Sequence, residues 1–200
     1  MGINPGTTIA LAWIIFILVW FVSGFRVNRT EKGEGAAGVT RRFLLAIAAY
    51  VLVFRVHDPR LGVLNDRFVP DDLWVAWLGA IMTVAGIALA IWARVHIGRY
   101  WSGNVVLKEN HQLIRTGPYA RIRHPIYTGI LLALTGSALA FGRISGLFGL
   151  AIYILMFRLK ARKEEALLAG KFGPAFEEHR RHTGFFFPKL FGVPPRLPAQ

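Results

Sequence analysis

The sequence predicts an all-α integral membrane protein with about five transmembrane helices. The fourth and fifth are expected to form a tight helical hairpin, and a cytoplasmic C-terminal helix follows them. Hydrophobic residues make up 54% of the 200-residue chain, and the mean hydropathy is +0.44, which is more apolar than a soluble domain of this length. These residues cluster in five segments, and nearly all of the 24 Lys and Arg residues lie between or after them.

The five apolar segments cover residues 7–25, 43–56, 73–97, 126–141 and 144–157. A helix needs about 20 apolar residues to cross a bilayer, so the first and third segments are long enough by themselves. The other three are short and are expected to use flanking residues or a locally thinner bilayer. Because only Gly142 and Arg143 separate the fourth segment from the fifth, these two helices are expected to be antiparallel neighbours.

The connections between the apolar segments alternate along the chain between few and many basic residues. The N-terminus has none, the first loop has five, and the second has three that are diluted by four Asp residues. The third loop has five, the hairpin turn one and the tail nine. Since cytoplasmic loops are enriched in Lys and Arg, this pattern predicts an external N-terminus, a cytoplasmic C-terminus and therefore an odd number of spans.

The chain is expected to be one integral membrane domain, residues 1–200, because no linker composition divides it. Residues 1–72 supply the first two spans, and residues 73–200 are expected to form the core that carries the site. The charge of +13 does not predict nucleic-acid binding, because the basic residues lie between apolar segments. The chain has no cysteine, which excludes disulfides and a cysteine nucleophile, and no ligand spacing predicts a metal site.

Small residues recur at helical spacing in the third and fourth segments. The positions are Gly79 with Thr83, Gly86 with Ala90, and Gly129 with Ala133 and Ser137. Faces of this kind let helix backbones approach closely inside a membrane. They predict a compact helical cluster.

The stretch GPYARIRHPIYTG, residues 117–129, places polar groups directly before an apolar segment. Pro125 suits the first position of a helix, so the fourth helix is expected to begin at His124–Pro125. The free backbone N–H groups at a helix start favour an anion, and Arg121, Arg123 and His124 strengthen that preference. Taken together, these features predict a ligand site at the membrane surface.

A second polar group follows the fifth segment, where Lys160 and Glu164 share one helix face. A hairpin brings this helix back beside the start of the fourth helix, so Glu164 and Glu165 are expected near His124 and Tyr127. A carboxylate pair opposite a cationic helix start suits a zwitterion, such as a ligand that carries an amino-acid group.

Residues from about 92 to 188 resemble the isoprenylcysteine carboxyl methyltransferases and the related phospholipid N-methyltransferases. The shared patterns are HQLIRTGPYARIRHPIYTG at 111–129 and EEALLAGKFGPAFEEHRRHTGFFFP at 164–188. The resemblance implies S-adenosylmethionine as cofactor and methyl transfer to a membrane-embedded, lipid-like acceptor. The acceptor implied first is the carboxylate of an isoprenylcysteine-like molecule, and the alternative is the amine of a phospholipid.

The resemblance also implies the site residues. Carried over by position, the cofactor contacts are His111, Gln112, Leu113, Ile114, Tyr119, His124, Pro125, Ile126, Tyr127, Glu164 and Glu165. The carboxyl methyltransferases have a substrate-binding arginine one turn before the glutamate, whereas this chain has Lys160, with Arg158 and Arg162 flanking it. No catalytic residue is assigned, although an amine acceptor would need a base, for which Glu165 and His124 are the candidates.

Two further interpretations stay open at this stage. A membrane reductase of the sterol type has a related polar C-terminal region and would bind a nicotinamide cofactor, and a non-enzymatic membrane protein needs no cofactor at all. In the tail, phenylalanines alternate with basic residues, which predicts an interfacial helix on anionic headgroups. The sequence leaves the oligomeric state open.

Overall fold

The computed structural model describes residue 2 and residues 4–24, 30–32, 36–54, 59–101, 107–108 and 112–189. Within these residues there are six α-helices: α1 (Pro5–Gly24), α2 (Ala36–Phe54), α3 (Leu73–Ile97), α4 (Pro125–Phe141), α5 (Ile144–Phe172) and α6 (Pro174–His182). Short 3₁₀ turns cover Pro59–Asn65, Gly98–Tyr100 and Gly117–Ala120. Two short strands, β1 (Thr30–Lys32) and β2 (Leu107–Lys108), pair antiparallel and were not anticipated from the sequence.

The ends of α4 follow from local chemistry. Pro125 occupies its first turn after the N-cap residue His124, as predicted, because proline has no N–H to lose there. At the other end Gly142 adopts a left-handed conformation with φ 69°, which glycine does without steric cost. α5 begins two residues later, so the predicted tight turn is confirmed.

Three helical stretches are long and apolar enough to cross a membrane: Pro5–Ser23, Leu73–Tyr100 and Ile144–Phe172. α4 is a shorter apolar helix of 17 residues. The chain is therefore a helical integral membrane protein. The exact number of spans stays a prediction.

α4 packs most extensively against α3, although its neighbour in sequence is α5. A Cβ added to Gly86 would lie 2.4 Å from the backbone nitrogen of Ala133, and one added to Gly79 would lie 2.4 Å from the Gly136 carbonyl oxygen. The two backbones therefore touch at positions where only hydrogen atoms fit. We call this contact the α3–α4 seam, and it confirms the predicted role of the small residues in packing.

Buried hydroxyl groups connect the seam to α1. Thr83 and Ser137 are fully buried, and their hydroxyl oxygens lie 3.1 Å apart. The Trp13 indole N–H donates to the Ser137 hydroxyl at 3.1 Å. Away from the seam, the Tyr153 hydroxyl donates to the Ala46 carbonyl at 2.9 Å and ties α5 to α2.

The connecting loops meet at opposite ends of the bundle. β1, in the loop after α1, pairs with β2 in the loop before α4. At the other end, the backbone N–H of Phe68 donates to the Gly142 carbonyl at 2.9 Å, and that of Ile144 donates to the Asp66 carbonyl at 3.0 Å. The alternation of loops between the two ends agrees with the alternation of charge in the sequence.

Candidate functional site

Two polar stretches about forty residues apart meet where α4 begins. His124 Nε2 lies 3.2 Å from Glu165 Oε1, and His124 Nδ1 lies 3.7 Å from Glu164 Oε2. The Tyr127 hydroxyl donates to Glu164 Oε1 at 2.7 Å. Lys160 Nζ lies 3.9 Å from the same oxygen. The continuous α5 produces this meeting, because its last four turns continue past the apolar part and run beside the start of α4.

Arg123 joins three elements at this point. Its Nε donates to Glu165 Oε1 at 2.5 Å, and its Nη1 donates to the backbone carbonyls of Thr183 and Arg180. The guanidinium thereby links the residues before α4 to α5 and to the end of α6. Arg123 and Glu165 are both mostly shielded from solvent, with 11% and 15% of their side chains exposed.

Aromatic rings surround the paired charges. The rings of His124 and Tyr127 stack with centroids 5.6 Å apart, and Tyr127 stacks in turn on Phe157 at 4.7 Å. The edge of Phe185 meets His124 at 5.0 Å. Because these rings exclude water from the carboxylates, the charge pairs operate at a lower effective dielectric constant than surface pairs.

A cleft opens beside this cluster. It is lined by Ile97, Tyr100, Trp101, Gln112, Leu113, Ile114, Tyr119, Arg123, His124, Ile126, Tyr127, Glu164, Glu165, Leu167, Leu168, Phe176 and His179. Apolar and aromatic side chains line it together with both glutamates. Such a lining suits an amphipathic ligand with a cationic group.

Comparisons with known proteins show a family likeness over part of the chain. Residues 78–170, just under half of the chain, match the isoprenylcysteine carboxyl methyltransferase (ICMT) family, and they contain the His124–Glu164 contact. The chain is similar to the ICMT family over this region. The matched region begins and ends earlier than the 92–188 inferred from the motifs, and the family assignment made from those motifs is confirmed.

Individual relatives show how far the likeness extends. A cobalt-zinc-cadmium resistance protein, CzcN, of Cupriavidus metallidurans is 34% identical over 60% of this chain and 54% of its own length. The chain therefore spans about half the length of that relative. A probable protein-S-isoprenylcysteine O-methyltransferase of Oryza sativa subsp. indica is 25% identical over 89% of this chain and 97% of its own length. The protein-S-isoprenylcysteine O-methyltransferase of Schizosaccharomyces pombe is 33% identical over 44% of this chain and 39% of its own length.

Most residues that the ICMT resemblance implies for the cofactor surround one cleft. Gln112, Leu113, Ile114, Tyr119, His124, Ile126, Tyr127, Glu164 and Glu165 all line it. Pro125 is fully buried behind the cleft wall. His111 lies outside the described residues.

The three basic residues predicted to bind substrate are placed differently from one another. The Lys160 side chain is only 12% exposed, and its ammonium lies 5.3 Å from the centre of the Tyr127 ring. Arg158 and Arg162 are exposed on α5. None of the three lines the cleft, but Lys160 contacts Glu164 and Tyr127, which do.

Sequence reasoning missed part of the cleft. The missed residues are Ile97, Tyr100, Trp101, Leu167, Leu168, Phe176 and His179, and Arg123 had been assigned only a general charge preference. Trp101 follows α3 and lies before both motifs in sequence, whereas His179 lies on α6 within the 164–188 motif, which did not assign it to the cleft. The spacing of Leu167, Leu168 and Glu164 on α5 was the one available signal, since residues three and four apart share a helix face.

Burial controls protonation at two positions of the cleft. Burial lowers the pKa of His179 to about 4, and the cations Arg115 and Arg123 act in the same direction. Burial also raises the pKa of the Tyr119 phenol, and the charge of Glu164 adds to this effect. Both side chains are therefore neutral near pH 7, and the charge of this wall comes from the other groups. Among the described residues, no group of three or more His, Asp or Glu is arranged to hold a metal ion.

Proposed function

We propose that this protein is an S-adenosylmethionine-dependent methyltransferase that acts on a membrane-embedded, lipid-like acceptor. The acceptor that the site favours is the carboxylate of an isoprenylcysteine-like molecule. The observation that carries the proposal is the cleft in which Glu164 and Glu165 face His124 and Tyr127 beside an apolar wall.

The residues of the cleft fit the proposed cofactor. Of the two carboxylates, Glu164 is the more exposed, at 22% against 15%, and we assign it the ammonium group of the cofactor. The first turn of α4 offers backbone N–H groups to a carboxylate. Trp101 lines the cleft and provides an aromatic ring, which attracts cations such as a sulfonium.

Glu165 has a different role in this proposal. Its Oε1 already accepts hydrogen bonds from Arg123 and lies within hydrogen-bond distance of His124. We therefore assign Glu165 to holding these two side chains in place, with Arg123 also fixing the end of α6. Both glutamates belong to the site, and Glu164 is the one expected to contact the cofactor charge.

S-adenosylmethionine supplies an electrophilic methyl group when bound. The protein then needs to hold the acceptor in line with that methyl and to exclude water. A carboxylate acceptor is already nucleophilic and needs no general base. Lys160, with its ammonium facing the site, is assigned to the acceptor carboxylate as a point charge, in place of a bidentate arginine.

The predicted topology completes the proposal. We propose five spans within a single domain, with an external N-terminus and with the cofactor cleft and C-terminus in the cytoplasm. The meeting of β1 with β2 supports it, because the first and third loops, which are both rich in basic residues, lie at the same end of the bundle. The oligomeric state is left open.

The first test is a binding titration of the detergent-solubilised protein with S-adenosylhomocysteine and, separately, with NADPH. The proposal expects saturable binding of S-adenosylhomocysteine and none of NADPH. Binding of NADPH alone would support a reductase of the sterol type. Binding of neither would support a non-enzymatic role.

The second test identifies the acceptor. Radiolabelled methyl transfer into a total lipid extract, followed by hydrolysis in mild base, distinguishes a methyl ester, which releases methanol, from a methylated amine, which does not. We expect base-labile label and expect Lys160→Met to reduce it, while Arg162→Met, which removes an exposed cation two residues away, preserves it. Base-stable label would favour phospholipid N-methylation, for which the His124–Glu165 pair offers a base.

A further inference from the structure

The segment after α6 returns to the level at which α4 begins. The backbone N–H of Arg123 donates to the Gly184 carbonyl at 2.9 Å, and that of His124 donates to the Phe185 carbonyl at 3.3 Å. The Thr128 hydroxyl donates to the Phe186 carbonyl at 2.7 Å. These bonds fix the segment beside the first turn of α4.

The first turn of α4 lies where the apolar part of the helix bundle ends. Phe157, which stacks on Tyr127, is the last residue of the apolar segment of α5, and Arg158 follows it. The residues before Pro125 are polar and those after it are apolar. The segment 184–186 therefore lies at the boundary between membrane and water.

Phe187 comes next and is 79% exposed. Its two predecessors are packed: Phe185 meets His124, and Phe186 meets Tyr127. An exposed phenylalanine is unfavourable in water but suits the interface between headgroups and acyl chains. Its position at this level is the first indication of a lipid contact.

Cations gather around the same segment. Lys189 Nζ donates to the carbonyls of Arg180 at 3.3 Å and of Arg181 at 2.6 Å, which brings three basic side chains together at the end of α6. A shallow groove between them is lined by Arg123, Glu177, Arg180, Arg181, Thr183, Gly184, Phe185 and Lys189.

Acidic neighbours reduce this charge without cancelling it. Glu177 pairs with Arg180 at 2.7 Å, and Glu178 is exposed on the same helix. From residue 177 to residue 189 there are three Lys or Arg residues and two Glu residues, so the surface keeps an excess of positive charge.

We infer that Phe187, Arg180, Arg181 and Lys189 form a docking surface for the headgroups of anionic phospholipids. The phenyl ring enters the interface, and the cations bind headgroup phosphates. Because Phe185 and Phe186 pack on His124 and Tyr127, docking also holds one wall of the cleft in place. Docking is therefore expected to raise the affinity for the cofactor, and this expectation rests on the proposed function.

Labelling tests the docking directly, because the chain contains no cysteine and any introduced cysteine is unique. Phe187→Cys and, as control, Lys171→Cys carry a nitroxide in nanodiscs of phosphatidylcholine alone or with phosphatidylglycerol. Lys171 lies about 21 Å further along α5 than Phe157, at a rise of about 1.5 Å per residue. We expect the label at 187 to be shielded from a water-soluble nickel chelate in the anionic membrane, and the label at 171 to stay accessible in both.

Charge reversal tests the cations. Each Lys or Arg near an anionic surface contributes a factor of about five to binding, so Arg181→Glu and Lys189→Glu should each return the label at 187 to water in the anionic nanodisc. Lys171→Glu makes the same change in charge beyond the reach of the screened surface potential and should leave the label shielded.

The outcomes separate this inference from the proposed function. An aqueous label at 187 in both membranes overturns docking, and equal shielding in both overturns the requirement for anionic headgroups. S-adenosylhomocysteine is titrated into the unlabelled protein in the same nanodiscs. If the label at 187 is shielded but S-adenosylhomocysteine binds in neither membrane, docking is supported and the proposed cofactor is contradicted. Tighter binding of S-adenosylhomocysteine in the anionic membrane supports both docking and the proposed cofactor.

Discussion

Helix α4 takes part in two buried regions that are held together by different forces. Along most of its length the α3–α4 seam holds it through contact of small residues, with a single hydrogen bond network at Thr83 and Ser137. At its start, His124 and Tyr127 are held by charge pairs and rings that reach α5 and the segment after α6. The seam therefore depends on volume, and the site depends on charge and geometry.

This difference predicts which substitutions each region tolerates. A methyl group is too large for the seam, whereas a change that preserves shape but removes a charge leaves the fold intact at the site. The following predictions test that separation, beginning with the largest expected effect.

The largest effect is expected from Gly86→Ala. The added Cβ would lie 2.4 Å from the Ala133 backbone nitrogen, and backbone atoms cannot move aside as a flexible side chain does. Overpacking of this kind costs about 1–3 kcal/mol, so we expect a lowered melting temperature and loss of a single species on size exclusion. Gly170→Ala is the control, because a Cβ there meets nothing within 4 Å. Equal melting temperatures for the two variants would contradict close contact at the seam.

At the site, Glu164→Gln should preserve the fold and weaken the binding of S-adenosylhomocysteine. The amide oxygen can still accept the hydrogen bond from Tyr127, but the charge is lost, and hydrogen bonds to charged groups contribute about 1.5–3 kcal/mol. We expect affinity to fall about tenfold or more by calorimetry, with an unchanged melting temperature. Glu178→Gln removes an exposed carboxylate of α6 as the control. Unchanged affinity in Glu164→Gln would remove this residue from the proposed site.

Arg123→Lys sharpens the comparison, because Arg123 binds Glu165 and two carbonyls of the α6 region with one guanidinium. Lysine keeps the positive charge but lacks the planar guanidinium with its several N–H donors, so it cannot form all of these hydrogen bonds. We expect faster amide hydrogen exchange in residues 174–186 and little change in the α3–α4 seam. Arg121→Lys, at an exposed position two residues earlier, should leave exchange as in the wild type, and equal exchange in both variants would argue against Arg123 as the link.

The smallest effect concerns pH. Burial lowers the pKa of His179 to about 4, whereas an unfolded histidine titrates near 6.5. Between these values the unfolded chain binds the proton and the folded chain does not, so stability is lost as pH falls from about 6.5 toward 4. The loss at pH 5.5 is about 1 kcal/mol. In His179→Gln, the melting temperature should fall less between pH 7 and pH 5.5 than in the wild type. An identical dependence of the melting temperature on pH in both proteins would show that other groups cause the loss of stability.

Much of the fold follows from local sequence. The start of α4 at Pro125 and its end at Gly142 depend on the backbone preferences of these residues, which act wherever the chain is folded. Each apolar segment largely coincides with one of the helices α1 to α5, although α2 begins seven residues before its apolar segment. The strands β1 and β2 were missed because each contributes so few residues that no periodicity can form.

The site was predictable in part. The motifs at 117–129 and 164–188 contain the charged and aromatic residues of the site. The short hairpin turn requires both motifs to lie at the same end of α4 and α5. The hydrogen bonds of Arg123 to Thr183 and Arg180 were not predictable, because they depend on how α6 folds back. The same is true of His179 as a cleft residue, and Trp101 lines the cleft because of where the chain runs after α3.

The sequence by itself determined the class of protein, the two ends of α4 and the residue types of the site, because transfer into lipid and backbone dihedral preferences are local properties. The tertiary structure decided that α4 packs chiefly on α3, that Glu165 is paired with Arg123 while Glu164 accepts from Tyr127, and that Lys160 lies close to Glu164 while Arg158 and Arg162 are exposed. These choices depend on contacts between residues far apart in the chain, where shape and the geometry of competing donors select one arrangement among several that the sequence allows.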